Sequence, residues 1–296
     1  MPQVTLRSGI SLEYERHGEG EPLLLVMGLA GQLIDWPPEF IAGLVECGFE
    51  VTVFDNRDVG LSSMTDWTPP SRRKSVLSYL FRLPVKGVGY TMDEMADDTA
   101  GLIDALGHES MHVVGMSMGG MISQALTIRH PRKVRSLTSV MSNTGDRKNG
   151  SISPKLIRAV GIPKPLTRET AIDDGVKLWR HISGDHFDEA DARRRMAESI
   201  ERSWTPDGVM RQTAAISGSA DRTEALRSVS TPTLVIHGLK DLLVLPSGGT
   251  TTAAAIPGSR LLMFPDMGHN LPESRNAEMV RAIRANAERA GTRLLG

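Results

Sequence analysis

The chain has 296 residues, 40% of them hydrophobic and 23% charged, with a formal net charge of −1. This is ordinary globular usage, in a length that suits one α/β core carrying a smaller excursion. It excludes a disordered or fibrous chain and supplies no overall field for nucleic acid or an anionic membrane. The N-terminus lacks a basic stretch followed by an apolar run, and no apolar segment reaches the roughly 20 residues that span a bilayer, so the expectation is a soluble, cytoplasmic protein. Cys47 is the single cysteine; it makes no internal disulfide, agrees with a reducing compartment and reads as a small packing residue.

Two strands, near 3–7 and 11–16, are separated by Gly9 and read as an antiparallel edge. Residues 23–27, Leu-Leu-Leu-Val-Met, show no polar alternation, the pattern of a strand covered on both faces. A helix over 38–46 and a second covered strand, 51–54, follow. Over 92–106 the apolar residues recur at helical spacing. Asp93, Glu94, Asp97 and Asp98 crowd its first turns, where the helix dipole favours negative charge, and Gly107 ends it. A third covered strand, 111–116, runs directly into Ser117 and a helix over 118–128; Pro131 stops that helix, and 134–141 forms another strand.

From 143 to 217 the pattern changes to amphipathic helices and prolines without a strand. Strands resume at 233–237 and 260–264, with a closing helix after Pro272. The sequence therefore predicts an α/β fold: a mostly parallel eight-stranded sheet flanked by helices, its core formed by 1–142 and 218–296, with a helical cap, 143–217, inserted after the sixth strand.

Gly115-Met116-Ser117-Met118-Gly119 matches G-x-S-x-G between a buried strand and a helix. A strand turning at once into a helix strains the serine backbone and brings neighbouring chain close, so residues without a Cβ flank it. The competing reading, a serine that merely caps a helix, does not account for both glycines and the covered strand. A neutral hydroxyl is a weak nucleophile and needs an imidazole to take its proton and a carboxylate to hold that imidazole. In the chain order Ser, acid, His, Asp241 follows the strand at 233–237 and His269 follows the last strand, both in loops at the carboxyl ends.

The competing reading of Asp241 is a turn or helix-cap residue, and that of His269 is a surface loop histidine. Asp146, in the polar loop after the 134–141 strand, is the alternative acid. Two donors for a tetrahedral oxyanion are expected from the backbone N–H of Met118 and of Leu29, the latter in Gly28-Leu29-Ala30-Gly31. The chemistry requires no cofactor.

With these residues in place, the chain resembles the α/β-hydrolase superfamily over nearly its whole length, and within it the aclacinomycin methylesterase-like esterases and related actinobacterial lipases and esterases. The likeness is carried by Leu24-Leu25-Val26-Met27-Gly28, Trp36-Pro37-Pro38-Glu39-Phe40, Asp55-Asn56-Arg57-Asp58-Val59-Gly60-Leu61-Ser62, His112-Val113-Val114-Gly115-Met116-Ser117-Met118-Gly119 and Met267-Gly268-His269. It implies an α/β-hydrolase fold, Ser117 as nucleophile, Asp241 as acid and His269 as base, and a structural role for Asp55. Met27 stands where many relatives have histidine, as in the methylesterase-like group, and Leu242 stands where a proline commonly follows the acid.

The expected activity is hydrolysis of a small-molecule carboxylic ester, acyl or methyl, with an apolar acyl or alkyl group. The alternatives put the same triad to thioester or lipid hydrolysis, perhydrolysis or C–C bond cleavage, or leave it vestigial in a small-molecule receptor. Epoxide hydrolase and dehalogenase chemistry is disfavoured because it needs a carboxylate at the position of Ser117. Gly28, Met116, Trp179, Phe187, Trp204 and Met210 are candidate substrate contacts; the four cap residues serve equally to pack cap helices together. The basic, amphipathic stretch 71–86, with Arg72, Arg73, Lys74, Arg82 and Lys86, reads either as a pocket mouth for lipid-like or anionic acyl substrates or as a helix with one solvated face. His181 and His186, with Asp185 and Asp188, are too irregularly spaced for a zinc site, and no aromatic platform accompanies the basic residues for nucleic-acid binding.

Overall fold

The computed structural model describes residues 2–71, 83–161 and 167–291; most of the basic stretch 71–86 lies outside them. The apolar runs form eight strands: β1 (Gln3–Thr5), β2 (Ser11–His17), β3 (Glu21–Val26), β4 (Phe49–Phe54), β5 (Met111–Met116), β6 (Val134–Val140), β7 (Thr233–Gly238) and β8 (Arg260–Phe264). They make one sheet in the order β1-β2-β4-β3-β5-β6-β7-β8. β1 and β2 are the antiparallel edge, β2 pairs antiparallel with β4, and every later pairing is parallel.

The absence of alternation in β3 has a direct cause, because the sheet is covered on both faces. Leu24 and Val26 enter one apolar cluster, with α2 (Met92–Ala105) and α3 (Met118–Arg129). Leu23, Leu25 and Met27 enter the other, with α1 (Pro38–Glu46) and the C-terminal helix (Glu273–Gly291). Successive side chains of one strand thus go to different cores, and both cores are apolar. α2 begins at a capping box in which Thr91 accepts from the Asp93 N–H and Glu94 accepts from the Thr91 N–H at 2.7 Å. Cys47 is half-buried against the second cluster.

Between β6 and β7 the described residues contain helices and no strand belonging to the sheet: α4 (Pro154–Val160), α5 (Ala171–Ile182), α6 (Glu189–Arg202), α7 (Pro206–Gly218) and the single turn α8 (Thr223–Leu226). α9 (Ser247–Ala255) joins β7 to β8, and α10 is the C-terminal helix already given. Among the described residues no helix is long and apolar enough to cross a membrane.

The strand order reverses at β3, which lies between β4 and β5, and a crevice opens beyond the carboxyl ends at such a switch point. The end of β3 and the start of α3 meet there at van der Waals distance. A Cβ on Gly119 would lie 1.9 Å from the Val26 carbonyl oxygen and 2.8 Å from that of Met27. Gly119→Ala should therefore cost at least about 2 kcal/mol, read as a lowered urea midpoint at unchanged slope.

Candidate active site

The site is assembled from the loops that leave β3, β5, β7 and β8. Ser117 occupies the junction of β5 and α3 with φ 56° and ψ −119°, a left-handed backbone that a residue with a Cβ adopts only when its surroundings hold it there. Its N–H donates to the Val140 carbonyl at 2.9 Å, and its carbonyl accepts from the Ser142 hydroxyl at 2.7 Å and the Gly120 N–H at 3.0 Å. Gly115 leaves room for the turn, since a Cβ there would lie 2.2 Å from the Gly119 carbonyl oxygen.

His269 Nε2 lies 2.9 Å from Ser117 Oγ, and His269 Nδ1 lies 2.7 Å from Asp241 Oδ2. The imidazole and the carboxylate are buried, while Ser117 is half-buried. An ionised carboxylate only accepts, so Nδ1 carries the proton and Nε2 turns its lone pair to the serine hydroxyl. Asp241 Oδ1 accepts from the Leu243 and Val244 N–H groups, each at 2.9 Å. Burial raises the Asp241 carboxyl, but the attraction of His269 and the hydrogen bonds from His237 and His269 outweigh it, and the group is held down at about 2.

The structure brings Ser117, Asp241 and His269 together and leaves Asp146 elsewhere. The carboxylate of Asp146 accepts from the Lys148 N–H and the Asn149 side chain in its own turn. Gly28 abuts the serine: a Cβ there would be 3.1 Å from Ser117 Cβ and 3.7 Å from Oγ. Leu29, which follows Gly28, is exposed, and Met118, which follows Ser117, is buried. Met116 is half-buried at the strand end. Trp179, Phe187, Trp204 and Met210 are all half-buried, and Phe187 lies under the Arg180 guanidinium, 4.8 Å from the ring centroid. His186 faces Asp266 at 3.0 Å, and Asp185 pairs with Lys240.

Asp55 accepts from the Leu33 N–H at 2.7 Å and the Leu61 N–H at 2.9 Å and pairs with Arg202 at 2.8 Å. It ties the turn after β4 to the loop after β3 and to α6.

Three contributors carry no motif. His237, fully buried, puts Nε2 2.8 Å from the Val244 carbonyl and 3.4 Å from Asp241 Oδ2, two acceptors that require the proton on Nε2. Its only sequence signal is its place four residues before Asp241. Ser142 has none. The third contributor is the end of α5: the Ile182 carbonyl accepts from the His269 N–H at 2.5 Å, and Gly184 bridges Met267 in antiparallel fashion. Gly268 and Gly184 permit this approach, since a Cβ would lie 2.0 Å from the Ile182 oxygen in the first and 2.5 Å from the Asp266 oxygen in the second.

A half-buried serine hydroxyl in contact with an imidazole that a buried carboxylate orients, above a mostly parallel sheet, is the kind of arrangement a hydrolase site uses. The chain matches the alpha/beta hydrolase fold family over residues 21–275 and belongs to that family. Rhodomycin D methylesterase DauP of Streptomyces sp. strain C5 is 27% identical over 290 residues, covering 91% of each chain. The putative non-heme bromoperoxidase BpoC of Mycobacterium tuberculosis H37Rv is 27% identical over 295 residues, covering 92% of this chain and 97% of its own. Among solved structures, a thermophilic esterase from Thermogutta terrifontis superposes with a TM-score of 0.74 at 25% identity, over 98% of both chains.

The lowered Asp241 pKa fixes a direction for acid stability. The native state binds this proton less readily than the unfolded chain, so the contribution is complete above the ordinary value, 3.8, and is lost as pH falls through about 2. Between pH 5 and pH 2 the wild type should lose about 2 kcal/mol more than Asp241→Asn, measured by urea unfolding at each pH; equal losses would contradict this assignment.

Proposed function

We propose that the protein hydrolyses small carboxylic esters through an acyl-enzyme, with Ser117 as nucleophile, His269 as general base and then general acid, and Asp241 as the group that fixes the imidazole. The observation that carries this reading is the continuous contact from Ser117 Oγ to His269 Nε2 at 2.9 Å and from Nδ1 to Asp241 at 2.7 Å. Similarity to a methylesterase, DauP, supports an ester as the scissile group.

In the first half-reaction Ser117 Oγ attacks the ester carbonyl as its proton passes to Nε2. The N–H groups of Leu29 and Met118 receive the negative charge on the former carbonyl oxygen. Met118 begins α3, so the positive end of that helix faces the same charge. The imidazolium, stabilised by ionised Asp241, returns its proton to the departing alcohol. Water then repeats the sequence in reverse and frees the acid.

The core consists of 1–142 and 218–296, and 143–217 forms a cap over the site. The cap selects the substrate through apolar surface to which Trp179, Trp204 and Met210 contribute, together with Gly28 and Met116 from the core. Phe187, stacked on Arg180, is assigned to packing within the cap rather than to substrate.

A panel of p-nitrophenyl and methyl esters graded in acyl length, assayed on wild type and Ser117→Ala, tests the proposal. Wild type should turn over repeatedly, and the folded alanine variant should lose kcat by on the order of 10³-fold or more. Comparable turnover by both proteins would refute the assignment.

A further inference from the structure

We infer that Gln212, which lies on α7 and outside the catalytic loops, is a positioning residue that sets the Leu29 N–H for the oxyanion; this rests on the serine-hydrolase reading above. The loop after β3 closes as a four-residue turn in which the Gly31 N–H donates to the Gly28 carbonyl at 3.2 Å. A trans peptide points its N–H opposite to its carbonyl, so this bond fixes the direction of the Leu29 N–H. Gly28 stands directly against Ser117, which places that peptide beside the reacting hydroxyl.

The third residue of the turn, Ala30, has φ 63°, a position where glycine is the usual occupant. A residue with a Cβ pays about 1 kcal/mol for that conformation, so the turn needs an external restraint. Gln212 provides it. Its side chain is fully buried; its Oε1 accepts from the Ala30 N–H at 3.0 Å and its Nε2 donates to the Arg57 carbonyl at 2.8 Å. One end of the amide must accept and the other must donate, so its orientation is dictated by the two backbone groups it joins.

α7 reaches this position because Gly208 lies directly on the turn after β4, where a Cβ would be 1.8 Å from the Asp58 carbonyl oxygen. The charged neighbours are already engaged: Arg57 pairs with Asp98 at 2.5 Å, and Arg211 pairs with Asp58 at 3.3 Å. Gln212 thus spans the turns after β3 and β4 as a neutral clamp.

The test compares wild type, Ser117→Ala, Gln212→Leu and Gln212→Leu with Ala30→Gly on one soluble ester. Gln212→Leu should lower kcat about tenfold to a hundredfold and change KM by less than about threefold, because the donor acts on the transition state. Affinity for an alkylboronic acid, which forms a tetrahedral adduct on the serine, should fall in parallel. Adding Ala30→Gly should recover part of kcat, since glycine adopts the turn without the steric cost; a role confined to anchoring α7 gives no such rescue. An unchanged kcat in folded Gln212→Leu, with Ser117→Ala inactive, overturns this inference alone, whereas turnover surviving in Ser117→Ala removes the underlying reading and this inference with it. If Gln212→Leu does not fold, Gln212→Glu decides. Its neutral acid presents one acceptor and one donor as the amide does, so kcat relative to wild type should rise toward acid pH, and a flat ratio overturns the inference.

Discussion

The left-handed backbone of Ser117 is the constraint on which the rest of the site depends. A strand that continued for one more residue, or a helix that began one residue later, would direct the hydroxyl into the sheet or along it. The chain is kept in this conformation by two hydrogen bonds from β6 and its exit, at Val140 and Ser142, and by glycines that admit neighbouring carbonyls at distances no Cβ tolerates. The strain is local, and the restraint is drawn from β3, β6 and α3 together. The sheet order matters for this reason: β5 lies between β3 and β6, so both neighbours reach the same turn.

Electrostatics divides the remaining work between two histidines and one carboxylate. Asp241 is buried, yet it is held ionised by His269 in front, His237 behind and two backbone N–H groups from its own loop. A carboxylate with so many donors has little freedom to rotate or to take a proton. His269 is oriented on its other side by a main-chain bond from its N–H to the Ile182 carbonyl. The imidazole is therefore fixed at both ends, by a charge through the ring and by a carbonyl through the backbone.

Much of this was legible in the sequence because it follows from local pattern. The covered strands at 23–27 and 111–116 lack alternation for a reason the two apolar clusters make plain, and G-x-S-x-G carries its own steric logic. Asp241 and His269 are readable from their place after β7 and β8. The choice between Asp241 and Asp146 is only weakly legible, because both follow a strand at its carboxyl end and only the packing of loops decides which carboxylate meets Nδ1. Ser142 and Gln212 are not legible at all, and His237 is legible only as a histidine four residues before Asp241. Each acts through contacts with residues distant in sequence or hidden at a strand end, and a glutamine inside a helix looks the same whether it faces solvent or spans two buried backbone groups.

The antiparallel bridge between Gly184 and Met267, with the Ile182 carbonyl on the His269 N–H, means that the helices between β6 and β7 are not an accessory laid upon a finished catalytic core. Their main chain is one wall of the loop that carries the imidazole. A graft of this region from a relative has to reproduce one glycine, Gly184, and the carbonyl of residue 182, and has to meet a glycine at 268 in the receiving loop, before its own side chains matter; residues 182–184 are therefore a fixed attachment point for the helices between β6 and β7.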